Sequence, residues 1–141
     1  MVDRATETAV RIGVVGAGAI GRRHVQYCIE EPATVLIGIA DSAKEAAALA
    51  HESGVAHYRS LENMLDAQRV DGIIVAVPTP LHCKVALTAI RRGIAVLIEK
   101  PIAELPAEVT ELIATANSTG AKILVGIIGD ITRSFSKRAR L

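Results

Sequence analysis

The stretch Gly-Ala-Gly-Ala-Ile-Gly at residues 16–21 has the spacing G-x-G-x-x-G. Glycine-rich turns are common, so this spacing is informative only in the right surroundings. Here an apolar run with strand character, residues 11–15, precedes it, and a stretch with helical periodicity, Ala19–Glu30, follows it. A strand, a glycine loop and a helix in this order predict a phosphate-binding turn of the dinucleotide-binding type.

The three glycines have separate tasks in such a loop. Gly16 permits the tight turn, Gly18 lets the backbone approach a pyrophosphate, and Gly21 lets the helix pack closely on the sheet. The amides near Ala19 and Ile20 would point at the phosphates, where the helix dipole favours negative charge. No G-x-x-x-x-G-K-[ST] occurs in the sequence, so an ATPase P-loop is not supported.

Asp41 follows the second apolar run, Thr34–Ala40. A carboxylate at this place can accept hydrogen bonds from the adenosine ribose hydroxyls, and it would repel a 2′-phosphate. We therefore expect NAD as the cofactor in preference to NADP. The alternative is that Asp41 only caps a helix that starts at Ser42.

Short apolar runs alternate with helical stretches along the whole chain. We predict strands at residues 11–15, 34–40, 55–58, 71–77, 94–98 and 122–128. We predict helices at residues 19–30, 42–53, 61–67 (capped by Ser60), 79–93 (Thr79 as N-cap, Pro80 at N1, Gly93 at the end) and 106–120. This alternation predicts an α/β fold, a doubly wound parallel sheet of the Rossmann type with strand order 3-2-1-4-5-6. A flavodoxin-like order is the alternative.

Composition narrows the functional classes. The 141 residues fit one ordinary domain, and half of them are apolar, so a proper core is expected. The formal net charge of +1 gives no general case for nucleic-acid or acidic-membrane partners. Aromatic residues make up only 2% of the chain, which argues against a surface that stacks nucleotide bases.

Cysteine and histidine usage indicates neither a disulfide scaffold nor a metal site. Cys28 and Cys83 are far apart in sequence, so a reduced, cytoplasmic protein with packed thiols is expected. His24, His51 and His57 show no metal-ligand spacing and are interpreted as structural or exposed. Residues 1–11 lack the apolar segment of a signal peptide, and no apolar run is long enough to span a bilayer.

Two further motifs carry a family resemblance. V-P-T-P-L-H occupies residues 77–82, after the predicted fourth strand, and E-K-P-I-A occupies residues 99–103, after the fifth. Together with the glycine loop they resemble the Gfo/Idh/MocA family of nicotinamide-dependent sugar and polyol oxidoreductases, from about residue 11 to residue 126. The helix at residues 60–65 is also similar, and E-K-P is the most specific of these motifs.

The first motif implies cofactor contacts. By this resemblance, Thr79 and the backbone near Pro78 would border the cofactor, and His82 would lie near the nicotinamide. The alternative for His82 is a packed or surface histidine early in a helix.

The second motif implies the catalytic residue. By resemblance, Lys100 would be the active-site lysine beside the reacting hydroxyl or carbonyl, and Glu99 and Pro101 would set its position. Glu99 and Lys100 would also border the cofactor. An ammonium there could polarise a developing alkoxide. Without the motif, Lys100 would be interpreted as a solvated surface lysine.

The sequence departs from the family pattern at its C-terminal end. Family members continue into a second domain that carries most substrate contacts, whereas this chain ends at Leu141. We therefore divide it into an N-terminal extension (residues 1–10), a dinucleotide-binding domain (11–128) and an aberrant basic tail (129–141), which is expected to be poorly ordered.

A lost base near the Gly126 codon would explain this departure. One allowed coding of residues 126–135, read from the third base of the Gly126 codon, translates as H-H-R-R-Y-N-P-I-I, which resembles the family's continuation after V-G. We expect the coding DNA downstream of Gly126 to hold a family-like second domain in another frame. Sequencing the gene tests this, and the absence of any such continuation would refute it.

Three functions are compatible with these residues. The first is a truncated NAD(P)-dependent oxidoreductase that retains the nucleotide-binding domain and little or no catalysis, with a polyol substrate only in an intact homologue. The second is a non-catalytic NAD-binding or regulatory module, and the third is a nonfunctional remnant. No nucleic-acid, membrane or metal partner is expected.

Overall fold

The computed structural model describes residues 9–126. Its strands are β1 (Val10–Val15), β2 (Thr34–Ala40), β3 (Ala56–Tyr58), β4 (Gly72–Val75), β5 (Ala95–Ile98) and β6 (Ile123–Val125). Its helices are α1 (Ala19–Glu30), α2 (Lys44–Ser53), α3 (Leu61–Ala67), α4 (His82–Ile90) and α5 (Pro106–Thr119), and a 3₁₀ turn (Thr79–Leu81) precedes α4.

The six strands form one parallel sheet in the order β3-β2-β1-β4-β5-β6. The predicted Rossmann order is confirmed, and the flavodoxin-like alternative is wrong. Strand order reverses between β1 and β4, which pair directly. Open α/β sheets bind ligands in the crevice at such a switch point. The glycine loop leaves β1 at this place.

Apolar side chains alternate between the two faces of the sheet. On β4, Ile73 and Val75 pack with α3, α4 and α5, whereas Ile74 packs on the opposite face with α1 and α2. All three side chains are fully buried. Because strands covered on both faces need apolar residues at every position, the near-continuous apolar runs of the sequence are accounted for.

The ends of several helices follow local chemistry that the sequence predicts. Ser60 Oγ accepts the backbone N–H of Asn63 at 3.2 Å and caps α3. Gly54 and Gly120 end α2 and α5 in the left-handed region, with φ of 70° and 78°. These glycines confirm the predicted helix ends.

Several predicted boundaries are wrong, including the end of α4, which lies at Ile90 and not at Gly93. Helix α2 begins at Lys44 and not at Ser42, because Asp41 Oδ1 accepts the N–H of Ala43 and holds a turn there. Thr79 is not an N-cap: it opens a 3₁₀ turn and its side chain makes no capping bond. Strand β4 ends at Val75 and not at residue 77.

The structure covers only part of the predicted C-terminal strand and none of the predicted basic tail. Strand β6 covers Ile123–Val125 of the predicted 122–128, and residues 127–141, including the basic tail, lie outside the described residues. Within residues 9–126, no helix combines the length and apolar content that a membrane crossing requires.

Candidate functional site

The glycine loop joins β1 to α1 at the carboxyl edge of the sheet. Gly16 has a backbone φ of 108°, a conformation that residues other than glycine rarely adopt. A Cβ on Gly16 would also lie 2.5 Å from the carbonyl oxygen of Ala76, at the end of the neighbouring strand. The turn therefore requires glycine for its dihedral angles and for its space.

Gly18 and Gly21 meet opposite requirements. A Cβ on Gly21 would collide with the carbonyl oxygen of Gly16, so glycine is needed for α1 to lie this close to the loop. A Cβ on Gly18 would meet nothing within 4 Å, and Gly18 is exposed. The space in front of Gly18 is therefore available to a ligand.

Helix α1 begins without a side-chain cap. Gly18 is its N-cap and has no side chain that could accept a capping hydrogen bond, and the first turn of α1 contains no acidic residue. The first backbone N–H groups of a helix have no partner within the helix, so they require a cap, water or a ligand. An anion in front of Gly18 would satisfy them and the positive end of the helix dipole.

Asp41 links the end of β2 to the glycine loop. Its Oδ2 accepts the N–H of Ala17 at 2.8 Å, and its Oδ1 accepts the N–H of Ala43 at 2.9 Å. His57 Nε2 lies 2.8 Å from the Asp41 carbonyl oxygen and steadies the backbone at this point. The carboxylate is partly exposed, so lone pairs remain for an outside donor.

A cleft of about 620 Å³ opens at this edge of the sheet. Its inner wall contains the glycine loop, Asp41 and the chain after β4, including Pro78. Its outer wall, which the sequence interpretation missed, is formed by Ser42, Arg59, Ser60, Leu61, Glu62, Leu81, Lys84, Val85 and Thr88. Ser42 follows β2, residues 59–62 follow β3, Leu81 ends the 3₁₀ turn, and the other three residues lie on α4. For Ser42 and residues 59–62, the position directly after a strand was the signal that could have identified them.

Lys100 lies after β5 in a short exposed segment. The lysine and Pro101 are exposed, and the peptide bond between them is cis. No ion pair involves Lys100 within the described part of the chain. Lys100, Glu99, Thr79 and His82 do not line the cleft, whereas Pro78, Ala19 and Ile20 do.

His82 is buried at the start of α4 and connects two loops. Its Nδ1 lies 2.9 Å from the carbonyl oxygen of Pro101, and its Nε2 lies 2.9 Å from that of Val77. Both ring nitrogens are therefore engaged by backbone. In this position His82 holds the segment after β4 against the segment after β5.

His24 is fully buried on α1, and its Nε2 lies 2.7 Å from Glu99 Oε1. Burial lowers the pKa of His24, and the Glu99 carboxylate opposes this shift in part. The expectation that His24 is structural did not include this contact. The sequence contains no local signal for it, because the partners are far apart along the chain.

The two thiols are buried and free. Burial raises the pKa of Cys28 to about 12, and burial also raises the pKa of Cys83. A thiol with a raised pKa is a poor nucleophile because little of it is thiolate. Among residues 9–126, no group of three His, Cys, Asp or Glu side chains is placed to hold a metal ion.

The family model of the Gfo/Idh/MocA oxidoreductases, described as an NAD-binding Rossmann fold, matches residues 10–127. The chain belongs to the Gfo/Idh/MocA oxidoreductase family. The resemblance carried by V-P-T-P-L-H and E-K-P-I-A is thereby confirmed.

The relatives that the chain matches include dehydrogenases and a reductase. It is 35% identical to the inositol 2-dehydrogenase of Leifsonia xyli over 105 residues, which are 73% of this chain and 31% of the relative. The WlbA dehydrogenase from Bordetella pertussis, solved with NADH and UDP-GlcNAcA, matches with a TM-score of 0.79 and 27% identity, over 84% of this chain and 37% of that one.

A reductase with a different cofactor has the same fold. The biliverdin reductase from Synechocystis, solved with biliverdin and NADP⁺, matches with a TM-score of 0.76 and 25% identity, over 82% of this chain and 37% of that one. The Gfo/Idh/MocA chain thus spans about a third of the length of its relatives. Its fold is the Rossmann fold that the model of this oxidoreductase family describes as NAD-binding.

Proposed function

We propose that this chain is the NAD-binding part of a polyol or sugar dehydrogenase, and that it retains cofactor binding with little or no hydride transfer. The observation that supports this most is the cleft at the switch point, which combines uncapped N–H groups of α1, open space at Gly18 and the Asp41 carboxylate. These are the groups that a dinucleotide pyrophosphate and ribose require.

The residues present fit the cofactor. In the proposed complex, the pyrophosphate lies against Gly18, Ala19 and Ile20, and the adenosine ribose donates its hydroxyl protons to Asp41. Pro78 and Thr79 border the cofactor further along the edge of the sheet. The nicotinamide supplies the hydride chemistry when it is bound.

NAD is the proposed cofactor in preference to NADP. The support is the charge of Asp41, whose carboxylate would face the 2′-phosphate of NADP. At an effective dielectric constant of about 20, two like charges 4 Å apart repel by about 4 kcal/mol. Arg59 and Lys84 line the same cleft, so both signs of charge are present there, and titrations with NADH and NADPH measure the preference.

Lys100 is the proposed acid–base residue. In an intact homologue, its ammonium would donate a hydrogen bond to the hydroxyl or carbonyl oxygen of a polyol and stabilise the alkoxide as it forms. Glu99 and Pro101 flank Lys100, and both are anchored from inside the domain, so they would set its position. His82 would act through this segment, because its ring nitrogens face the backbone carbonyl oxygens of Pro101 and Val77.

Little turnover is proposed for the chain itself. Lys100 is exposed and does not line the cleft. Hydride transfer needs a substrate held at the nicotinamide and water kept out, and an exposed lysine provides neither.

The buried free thiols Cys28 and Cys83 support a reducing, cytoplasmic location for the protein.

The purified chain should bind NADH with a Kd between about 10 μM and 1 mM, which corresponds to about −7 to −4 kcal/mol. Fluorescence titration gives this Kd, and NADH at ten times its Kd should stabilise the fold by about 1.4 kcal/mol in thermal unfolding. ADP-ribose, which lacks the nicotinamide, should compete with similar affinity because the cleft holds the adenosine and pyrophosphate half.

The controls for this experiment separate the three functions. NADPH should bind more weakly than NADH, and NAD⁺ with inositol should give no NADH above the rate without protein. Clear turnover would contradict the loss of catalysis. A folded chain that binds neither NADH nor ADP-ribose would contradict the proposal and favour a nonfunctional remnant.

A further inference from the structure

A buried histidine connects the cofactor-side helix to the lysine segment. His24 lies one turn beyond the glycine loop on α1, and its side chain is completely buried. Its partner, Glu99, follows β5 directly, and the Glu99 side chain is 35% exposed. The imidazole therefore reaches from the interior to the residue immediately before Lys100.

The chemistry of this contact fixes which ring nitrogen carries the proton. Burial disfavours the imidazolium and lowers the pKa of His24. A neutral imidazole has one N–H group, and Nε2 is the nitrogen that faces the carboxylate at 2.7 Å. His24 Nδ1 is buried and has no hydrogen-bond partner among the described residues. The pair is therefore a neutral Nε2–H donor and a Glu99 carboxylate acceptor.

The segment around Lys100 is anchored on both sides of the lysine. On one side, His24 holds the Glu99 carboxylate, and on the other, His82 Nδ1 faces the Pro101 carbonyl oxygen at 2.9 Å. The exposed lysine between them makes no ion pair of its own within residues 9–126. Its position is thus determined by its two neighbours.

We propose that His24 is a positioning residue for Lys100, which acts by donating its Nε2–H to the Glu99 carboxylate. The importance of Lys100 rests on the proposed function, whereas the effect of His24 on this segment does not. Because α1 also carries the glycine loop, this contact sets the lysine segment relative to the helix on which the cofactor phosphates would lie.

The tautomer of His24 tests the proposal without any substitution. In the wild-type chain at neutral pH, long-range ¹⁵N–¹H correlations of the imidazole should show a neutral ring with the proton on Nε2. A proton on Nδ1 would overturn the proposal, because Nε2 could not then donate to the carboxylate.

Backbone dynamics test the positioning itself. In the wild-type chain, ¹⁵N relaxation should give order parameters at Lys100 and Ile102 near the rigid value of about 0.85. His24→Leu fills the space without a donor, and these values should fall below about 0.6. His24→Gln, whose amide can donate from a similar position, should restore most of the rigidity.

Two further variants keep this test decisive if His24→Leu fails to fold. Glu99→Ala removes the acceptor from the exposed side and should loosen Lys100 and Ile102 in the same way. Cys28→Ala alters another buried position on α1 and should leave both order parameters unchanged. The measurement needs no NADH, so a failure to bind cofactor does not affect it. Unchanged order parameters in both His24→Leu and Glu99→Ala would overturn the proposal.

Discussion

Alanine at Gly21 should destabilise the domain, whereas alanine at Gly18 should leave it folded and weaken cofactor binding at least about tenfold. A Cβ at Gly21 would collide with the Gly16 carbonyl oxygen, which belongs to backbone and cannot rotate away. Overpacking of this kind costs about 3 kcal/mol, and in a domain of this size we expect the melting temperature to fall by on the order of 10 °C.

The Gly18 substitution separates binding from folding. A Cβ there meets nothing within 4 Å, so the melting temperature of Gly18→Ala should stay within about 2 °C of wild type. The same Cβ would occupy the space where a pyrophosphate approaches the N-terminus of α1. We expect NADH affinity to fall at least about tenfold, which is about 1.4 kcal/mol.

The measurements are thermal unfolding and NADH titration on both variants. Gly54→Ala is a matched control, because Gly54 also has open space around it and a positive φ of 70°, and it lies at the end of α2. This control should lose about 1 kcal/mol of stability through backbone strain and keep its NADH affinity. Wild-type affinity in Gly18→Ala would contradict the phosphate-binding role of the loop, and a wild-type melting temperature in Gly21→Ala would contradict the steric argument.

The parts of the fold that the sequence predicts correctly depend on local signals. These signals are the strand and helix periodicity, the glycine spacing and the glycines that end helices, and each acts within a few residues. They predict α1 and β2, and their alternation along the chain predicts the sheet order. The Ser60 cap is of the same kind. A local signal survives because tertiary packing here agrees with it.

The predictions that are wrong depend on contacts from outside the segment. Helix α2 starts late because the Asp41 side chain takes the N–H of Ala43. The turn at Thr79 is 3₁₀, and the α-helix that follows begins at His82, whose ring is held by the carbonyl oxygens of Val77 and Pro101. Helix propensity at Pro80 predicts a helix start there, but it contains no information about these tertiary partners of His82.

The candidate site divides in the same way. The glycine loop and Asp41 could be predicted from the sequence because their spacing is short and regular. The contact between His24 and Glu99 joins residues 75 positions apart, and nothing in either neighbourhood predicts it. The outer wall of the cleft, with Arg59 and Lys84, also required the fold, because these two residues are 25 positions apart in sequence and the tertiary structure brings them to one cleft.

Loss of the Asp41 carboxylate should weaken NADH binding and remove most of the preference for NADH over NADPH. In the wild-type chain the carboxylate holds the N–H of Ala17 in the glycine loop, and it would also receive the ribose hydroxyls. Asp41→Ala deletes both roles. We expect NADH affinity to fall between about tenfold and a hundredfold, which is about 1.4 to 2.7 kcal/mol.

The same substitution should favour NADPH binding relative to NADH binding. Without the negative charge, the 2′-phosphate no longer meets a carboxylate, and Arg59 in the same cleft remains. The ratio of the NADPH and NADH dissociation constants should therefore fall at least about tenfold in Asp41→Ala. Both titrations need the same low salt concentration, because salt screens this effect.

Asp71→Ala is the matched control for the anchoring role of the carboxylate. Asp71 Oδ2 accepts the N–H of Arg11 at 2.8 Å, as Asp41 does for Ala17, but Asp71 precedes β4 and lies at the edge of the sheet opposite the cleft. Its loss should lower stability by about 1 to 3 kcal/mol with no change in cofactor preference. An Asp41→Ala variant that loses stability and keeps the wild-type NADPH to NADH ratio would show that Asp41 only anchors the loop. In that case, the discrimination between the two cofactors would have to come from the cations of the outer wall.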